Sequence, residues 1–247
     1  MDSRLKELIK KSKRVVFFGG AGVSTESGIP DFRSEDGLYQ AEAKYGHSPE
    51  EMLSHTFFMD HTETFYDYYI SNLLYPGVQP NKAHYALAKL EEQGKLKAIV
   101  TQNIDGLHQL AGSKKVFELH GSVLRNHCTR CHTFYCMDYI VKPESSNTKD
   151  HPDGKIPRCI KCGGIIKPEV VLYEEPLDQE VMDGAIDAIS NADLLIVGGT
   201  SLVVYPAAGL INYFHGKNLV LINKTETQYD QRANLVIHDA IGEVLGQ

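Results

Sequence analysis

Arg14-Val15-Val16-Phe17-Phe18-Gly19-Gly20-Ala21-Gly22-Val23-Ser24 is the stretch that decides the fold. A short unbroken apolar run that ends in glycines reads as a strand buried on both faces and feeding a tight turn. Glycines there let the backbone approach a partner closely and bring N–H groups within reach of a pyrophosphate. The same loop also serves as a plain strand-to-helix turn, so it does not by itself assign a ligand. Counted from Gly20, a dehydrogenase fingerprint wants glycine at position 25, where this chain has Thr25. No acidic residue closes a second strand to hold a ribose, and ordinary hydride transfer is therefore disfavoured.

Working outward, the pattern repeats. Ala98–Val100 runs into Thr101-Gln102-Asn103, and Val116–Leu119 into His120-Gly121. Glu169–Leu172 runs into Tyr173-Glu174, and Leu194–Val197 into Gly198-Gly199-Thr200-Ser201. Leu219–Ile222 ends at Asn223, and Leu235–Ile237 closes the set. Amphipathic stretches lie between several of these runs, at Ala83–Gln93, Leu177–Ser190 and Ala207–Phe214. Alternating strand and helix predicts an α/β fold with a Rossmann-like, doubly wound parallel sheet, whose polar strand ends face a ligand.

Two segments break the pattern. Residues 39–75 are aromatic-rich and read as a helical insertion; residues 126–164 hold paired cysteines and a polar loop. Together they predict a smaller lobe, leaving 1–38, 76–125 and 165–247 as a discontinuous nucleotide-binding lobe. The cysteines are Cys128-x-x-Cys131 and Cys159-x-x-Cys162, which suit one tetrahedral Zn²⁺. Four thiolates leave no open coordination position, so the expected ion is structural. Cys136 stands outside the set and is expected to be a half-buried packing residue.

Composition is that of an ordinary globular chain, 42% hydrophobic and 23% charged, with a formal net charge of −7. An acidic balance argues against a nucleic-acid-binding body, although Arg130, Arg158 and Lys161 flank the cysteines. Met1–Lys13 is charged and amphipathic rather than a secretory signal, and no apolar run is long enough to span a membrane. The expectation is a cytoplasmic protein, a monomer by default.

The continuation Ser27-Gly28-Ile29-Pro30-Asp31-Phe32-Arg33 is more specific than the glycine loop. With Gly20-Ala21-Gly22, Thr101-Gln102-Asn103-Ile104-Asp105, His120-Gly121, the cysteine pairs and Gly199-Thr200-Ser201-Leu202, it resembles the sirtuins, the Sir2-type deacylases, of the compact bacterial kind. The resemblance runs through most of the chain in the family's order. It implies that NAD, as co-substrate, and an acetyl-lysine peptide enter a cleft between two lobes. It further implies that Ala21, Thr25, Phe32 and Arg33 line the NAD site, and that Gln102, Ile104 and Asp105 serve its ribose and nicotinamide pockets. Thr200, Ser201 and Asn223 would hold phosphate and adenosine ribose, with Asp239 or Ala240 beside adenine.

By the same resemblance His120 is the general base, and Asn103 fixes the ribose or a catalytic water. The acyl oxygen captures the ribose carbon that nicotinamide leaves, and an imidazole titrating near 6.5 takes a proton from a ribose hydroxyl. The implied products are free lysine, nicotinamide and O-acetyl-ADP-ribose. Longer-chain deacylation and ADP-ribosyl transfer to protein are alternatives that use the same pocket.

The chain departs from the family in two places. The family's Phe-Gly-Glu after the zinc module reads Tyr173-Glu174-Glu175 here. Either the backbone at Glu174 needs no positive φ or the peptide groove changes shape, and the added charge suggests a preference for basic flanking residues. Where the branch that removes malonyl and succinyl groups carries Tyr-x-x-Arg, this chain has Tyr66 and then Tyr69, leaving no cation for an acidic acyl group.

Overall fold

The structure is a computed structural model that describes residues 2–31, 43–142 and 154–246. Its strands are β1 (Val15–Gly19), β2 (Leu96–Thr101), β3 (Val116–Glu118), β4 (Gly121–Cys128), β5 (Phe134–Cys136), β6 (Ile166–Val170), β7 (Leu194–Gly198), β8 (Asn218–Ile222) and β9 (Leu235–Ile237). Its α-helices are α1 (Ser3–Lys11), α2 (Pro49–Met52), α3 (His55–Asp60), α4 (Thr62–Asn72), α5 (Lys82–Glu92), α6 (Leu107–Leu110), α7 (Met137–Ile140), α8 (Gln179–Ser190) and α9 (Ile241–Leu245). The chain divides into two compact units, one of Met1–Asp31, Val78–Leu119 and Leu177–Gln247, the other of Phe32–Gly77 and His120–Pro176.

The first unit is built on a six-stranded sheet in the order β3-β2-β1-β7-β8-β9, parallel throughout. The strand order reverses between β1 and β7, which is where open α/β sheets bind ligands. All five residues of β1 are buried. Val16 and Phe18 join one core with Val100, Val197 and Leu221, under Ala185 and Ile189 of α8. Val15 and Phe17 join the other with Ile99, Ile196 and Val220, under Leu5 of α1, Leu87 of α5 and Val244 of α9. Each such side chain contributes about 2 kcal/mol by burial, whereas strand propensities span only about 1 kcal/mol. Burial on both faces therefore sets the sheet, as the unbroken apolar runs predict.

The second unit carries a three-stranded antiparallel sheet, β5-β4-β6, together with α2, α3, α4 and α7. Here the structure corrects the sequence reading. Glu169–Leu172 was expected to be a strand of the parallel sheet. The strand is instead Ile166–Val170, antiparallel to β4, with Ile166, Pro168 and Val170 buried and Lys167 and Glu169 turned outward. Phe57, Phe58, Phe65, Tyr66 and Tyr69 form the helical core, with Phe65 stacked on Tyr69 at 5.5 Å and 11°. The Tyr66 hydroxyl donates to the Ile166 carbonyl and so ties α4 to β6.

Candidate active site and metal centre

Because every strand of the six-stranded sheet runs the same way, the loops after β1, β2, β7, β8 and β9 share one edge. At the reversal point two of these loops are laced together. Gly20 N–H donates to Gly198 O at 3.3 Å, and Gly22 N–H to Gly199 O at 2.8 Å. A Cβ on Gly22 would lie 2.8 Å from the Gly199 Cα, so the close approach requires glycine. Val23 and Ser24 N–H also bond to carbonyls, those of Gly20 and Ala21, so these four N–H groups hold the loop itself rather than a pyrophosphate.

Side chains converge beside it. Ser24, 1% exposed, donates its hydroxyl to Asp105 Oδ2 at 2.6 Å and accepts from Asn103 Nδ2 at 3.0 Å. Asp105 Oδ1 accepts from Leu107 N–H at 2.9 Å, where α6 begins. Gln102 N–H donates to Gly19 O, and Gln102 Nε2 donates to Thr200 Oγ1 at 3.0 Å, so β2 is joined to the loops after β1 and β7. Thr25 Oγ1 donates to Gly22 O at 3.1 Å. Asn81 caps α5 through Ala83 N–H while its Nδ2 donates to Val23 O and Ser27 Oγ.

The other expected residues lie along the same edge. Ile104 is half-buried beside Asn103, and Ser201 is exposed after Thr200. Asn223, at the end of β8, donates Nδ2 to Thr225 O. Asp239 and Ala240 follow β9, where Ala240 N–H donates to Asp239 Oδ1 at 2.7 Å. Phe32 and Arg33 lie outside the described residues. Hydroxyls, amides and a carboxylate at glycine-lined strand ends are the donor and acceptor set that ribose hydroxyls and a carboxamide require, so these residues fit a nicotinamide dinucleotide.

Below the site lies a buried imidazole pair. His84 and His108 rings are 4.7 Å apart, and His84 Nδ1 accepts from Asn81 N–H within the capping box of α5. Burial holds His84 down at about 4, with Asp105 opposing, and holds His108 at about 3, with His84 adding to the effect.

His120 belongs to the second unit, in the turn that enters β4, and its carbonyl accepts from Val171 N–H at 3.0 Å. Gly121 has φ +74, and a Cβ there would lie 1.8 Å from Glu169 O. Only glycine allows β4 and β6 to close at this point, and that closure sets where His120 stands.

The four cysteine sulfurs all lie within 4.8 Å of one another, with Cys128 and Cys159 buried. Sulfur separations of 3.4–3.5 Å compare with about 3.8 Å along the edge of a tetrahedron with Zn–S bonds of 2.3 Å. Gly164 completes the cradle, since a Cβ there would sit 2.9 Å from Cys128 Sγ. The cluster can hold one metal ion, and an all-sulfur donor set suits zinc. Cys136 is exposed rather than half-buried, because alternation along β5 turns Tyr135 inward and Cys136 outward.

Residues 20–206 match the sequence model of the Sir2 family. The chain belongs to the Sir2 family. It is 64% identical over 246 residues to an NAD-dependent protein deacetylase of Clostridium perfringens, covering 99% of this chain and 97% of that one. A solved Sir2 structure with a p53 peptide and NAD⁺ aligns with TM-score 0.84 at 39% identity, covering 99% and 95% of the two chains. Another, a Sir2 variant with a deacetylated p53 peptide and 3′-O-acetyl ADP ribose, aligns with TM-score 0.85 at 40% identity, covering 98% and 94%.

Against the Sir2 pattern, Glu174 is the informative departure. Its φ is +77, so the left-handed conformation suited to glycine is kept although the residue is not glycine. Its carboxylate accepts from Thr56 N–H at 2.9 Å and Thr56 Oγ1 at 2.7 Å, at the start of α3, and these bonds hold it below the ordinary carboxylate range. Glu175 fastens the same turn, accepting from Leu172 N–H, Lys167 and His55. Sequence reasoning gave no role to Ser24 or Asn81. Ser24 lies inside the Sir2 signature, where a small hydroxyl among glycines was the available signal. Asn81 stands ahead of the amphipathic stretch that begins at Ala83, and its capping role comes from the structure.

Proposed function

We propose that this chain is an NAD-dependent protein-lysine deacetylase that transfers the acetyl group of lysine to ADP-ribose and releases nicotinamide. The observation that carries this is the Ser24–Asn103–Asp105 network at the strand-order reversal, inside the segment that matches the Sir2 family. When bound, NAD supplies a ribose carbon from which nicotinamide can leave. Asp105, oriented by Ser24 and Leu107 N–H, holds the carboxamide. Asn103, whose amide is fixed on Ser24, presents its carbonyl oxygen to a ribose hydroxyl or water. His120 takes the proton of the attacking ribose hydroxyl as general base.

Ala21, Thr25, Phe32, Arg33, Gln102 and Ile104 line the NAD site in this reading. Thr200, Ser201, Asn223, Asp239 and Ala240 serve its phosphate, ribose and adenine. Cys128, Cys131, Cys159 and Cys162 hold a structural Zn²⁺. Tyr69, buried in the aromatic cluster where a cation would serve an acidic acyl group, supports preference for a neutral acetyl group. The substrates are acetyl-lysine segments of proteins, with no direct nucleic-acid partner. Among the described residues no helix is long and apolar enough to cross a membrane. We place the protein in the cytoplasm as a monomer.

The test is mass spectrometry of an acetyl-lysine peptide with and without NAD, beside a His120→Ala control. Acetyl loss that needs NAD, yields acetyl-ADP-ribose and vanishes in the control is expected. Intact peptide with NAD present, or ADP-ribose attached to protein in its place, would overturn the reading.

A further inference from the structure

The metal cradle is not made by its four cysteines alone. Tyr135 is the middle residue of β5, opposite Asn126 of β4, and the alternation of that strand sends its ring inward while Phe134 and Cys136 face out. The side chain is 6% exposed. Its hydroxyl donates to Cys159 Sγ at 3.0 Å and accepts from Ile160 N–H at 3.1 Å. A residue on the hairpin of the first cysteine pair thereby reaches across and pins both the sulfur and the backbone of the second pair.

Four thiolates around one divalent cation leave a net charge of about −2 in a part-buried place, and such charge needs hydrogen-bond donors. Backbone N–H groups supply some of these: Arg130 and Cys131 N–H approach Cys128 Sγ at 3.4 and 3.5 Å. Lys161 and Cys162 N–H bond to Cys159 and Gly164 N–H to Cys162, and two hydroxyls add to these, Thr133 beside the exposed Cys131 at 3.3 Å and Tyr135 on the buried Cys159 at 3.0 Å. The Tyr135 contact is the shorter of the two and comes from an inward-facing ring. It engages one of the lone pairs through which a proton or oxidant would attack that sulfur.

We infer that Tyr135 is a positioning residue for metal retention: its hydroxyl, hydrogen-bonded to Cys159 and Ile160, controls how fast the second cysteine pair lets go of the ion. The neighbouring Tyr139 provides an internal control. Its ring packs on Tyr135 at 4.6 Å, yet its hydroxyl donates to the Arg158 carbonyl at 2.8 Å and not to sulfur. The inference rests on the cysteine cluster and is independent of the deacetylase reading.

The test is zinc release from the purified holoprotein into excess chelator, followed by the colour of 4-(2-pyridylazo)resorcinol. Loss of an outer-shell partner typically weakens metal binding by about 10–100-fold, so Tyr135→Phe is expected to release zinc at least about tenfold faster. Tyr139→Phe should release at the wild-type rate. Equal rates for wild type and Tyr135→Phe would overturn the inference, as would equal acceleration by both variants, which would mean loosened packing. A protein that retains no metal would overturn it at the outset. Should Tyr135→Phe not fold, the wild type loaded with ¹¹³Cd decides. A scalar coupling between the Tyr135 hydroxyl proton and the metal through Cys159 sulfur is expected, and a hydroxyl proton exchanging freely with solvent refutes it.

Discussion

The buried imidazole pair gives stability a specific dependence on pH. His84 is 0% exposed and His108 1% exposed, one on α5 and one on α6, with Phe17 packed on His108 at 6.1 Å. Burial disfavours the charged ring, which lowers the folded-state values to about 4 and about 3 from 6.5. The unfolded chain is then the better proton acceptor. Stability from this source is complete above pH 6.5 and is lost as pH falls toward the folded-state values. At pH 5, one and a half pH units below 6.5, each ring costs about 2 kcal/mol at 1.36 kcal/mol per unit, roughly 4 kcal/mol for the pair. That is a large fraction of the 5–15 kcal/mol that holds typical domains folded.

The perturbation is His108→Phe, which keeps an aromatic ring and removes one titration. Urea unfolding at pH 7 and pH 5 should show a wild-type loss of about 4 kcal/mol and a variant loss of about 2 kcal/mol. Glu174 and Glu175, whose values are lowered, lose their contribution only as pH falls below the ordinary carboxylate value of 4.5, outside this window. Groups that titrate alike in both proteins cancel in the comparison. An identical pH 7 to pH 5 loss in wild type and variant would refute the reasoning.

Three further outcomes are expected. Ser24→Ala removes the hydroxyl between Asn103 and Asp105; steady-state kinetics should show kcat/KM for NAD falling about 10–100-fold, from roughly 1–3 kcal/mol of unsatisfied polar groups, and unchanged kinetics would remove Ser24 from the site. Gly121→Ala places a Cβ 1.8 Å from Glu169 O, so the variant should be insoluble or lose at least ~10 °C in Tm by circular dichroism; a wild-type melt would mean that the β4–β6 crossing yields easily. Glu174→Ala and Thr56→Val should each raise KM for the acetylated peptide and leave KM for NAD unchanged, with the double variant no worse than the worse single; additive effects would show that the two side chains act separately.

The sequence exposed the first sheet because its strands are buried on both faces, so β1, β7, β8 and the Ala98–Val100 part of β2 appear as unbroken apolar runs. The second sheet was partly legible and was misplaced. Ile166-Lys167-Pro168-Glu169-Val170 alternates with period two, yet the apolar run Val170-Val171-Leu172 beside it drew the strand's start three residues and its end two residues too far along. The glycine loop was legible, but one of the contacts that require its glycines was not. What demands glycine at Gly22 is the backbone of Gly199, far away in sequence, and no local pattern announces such a neighbour.

Glu174 shows the same limit from the other side. A glutamate where the family has glycine leaves two readings, a backbone that needs no positive φ or a peptide groove of changed shape, because φ > 0 is disfavoured for any residue with a Cβ. The turn keeps φ +77, since two oxygen-directed bonds from Thr56 fix the new side chain to the start of α3. Thr56 lies 118 residues away and becomes meaningful only once α3 stands beside the β6 turn. Local patterns thus identify which atoms are present for chemistry, while the partners that fix those atoms are set by topology. That is why the paired cysteines could be named from their spacing and His120 only through the resemblance to the sirtuins, while Ser24, Thr56 and Tyr135 could be given roles only from the fold.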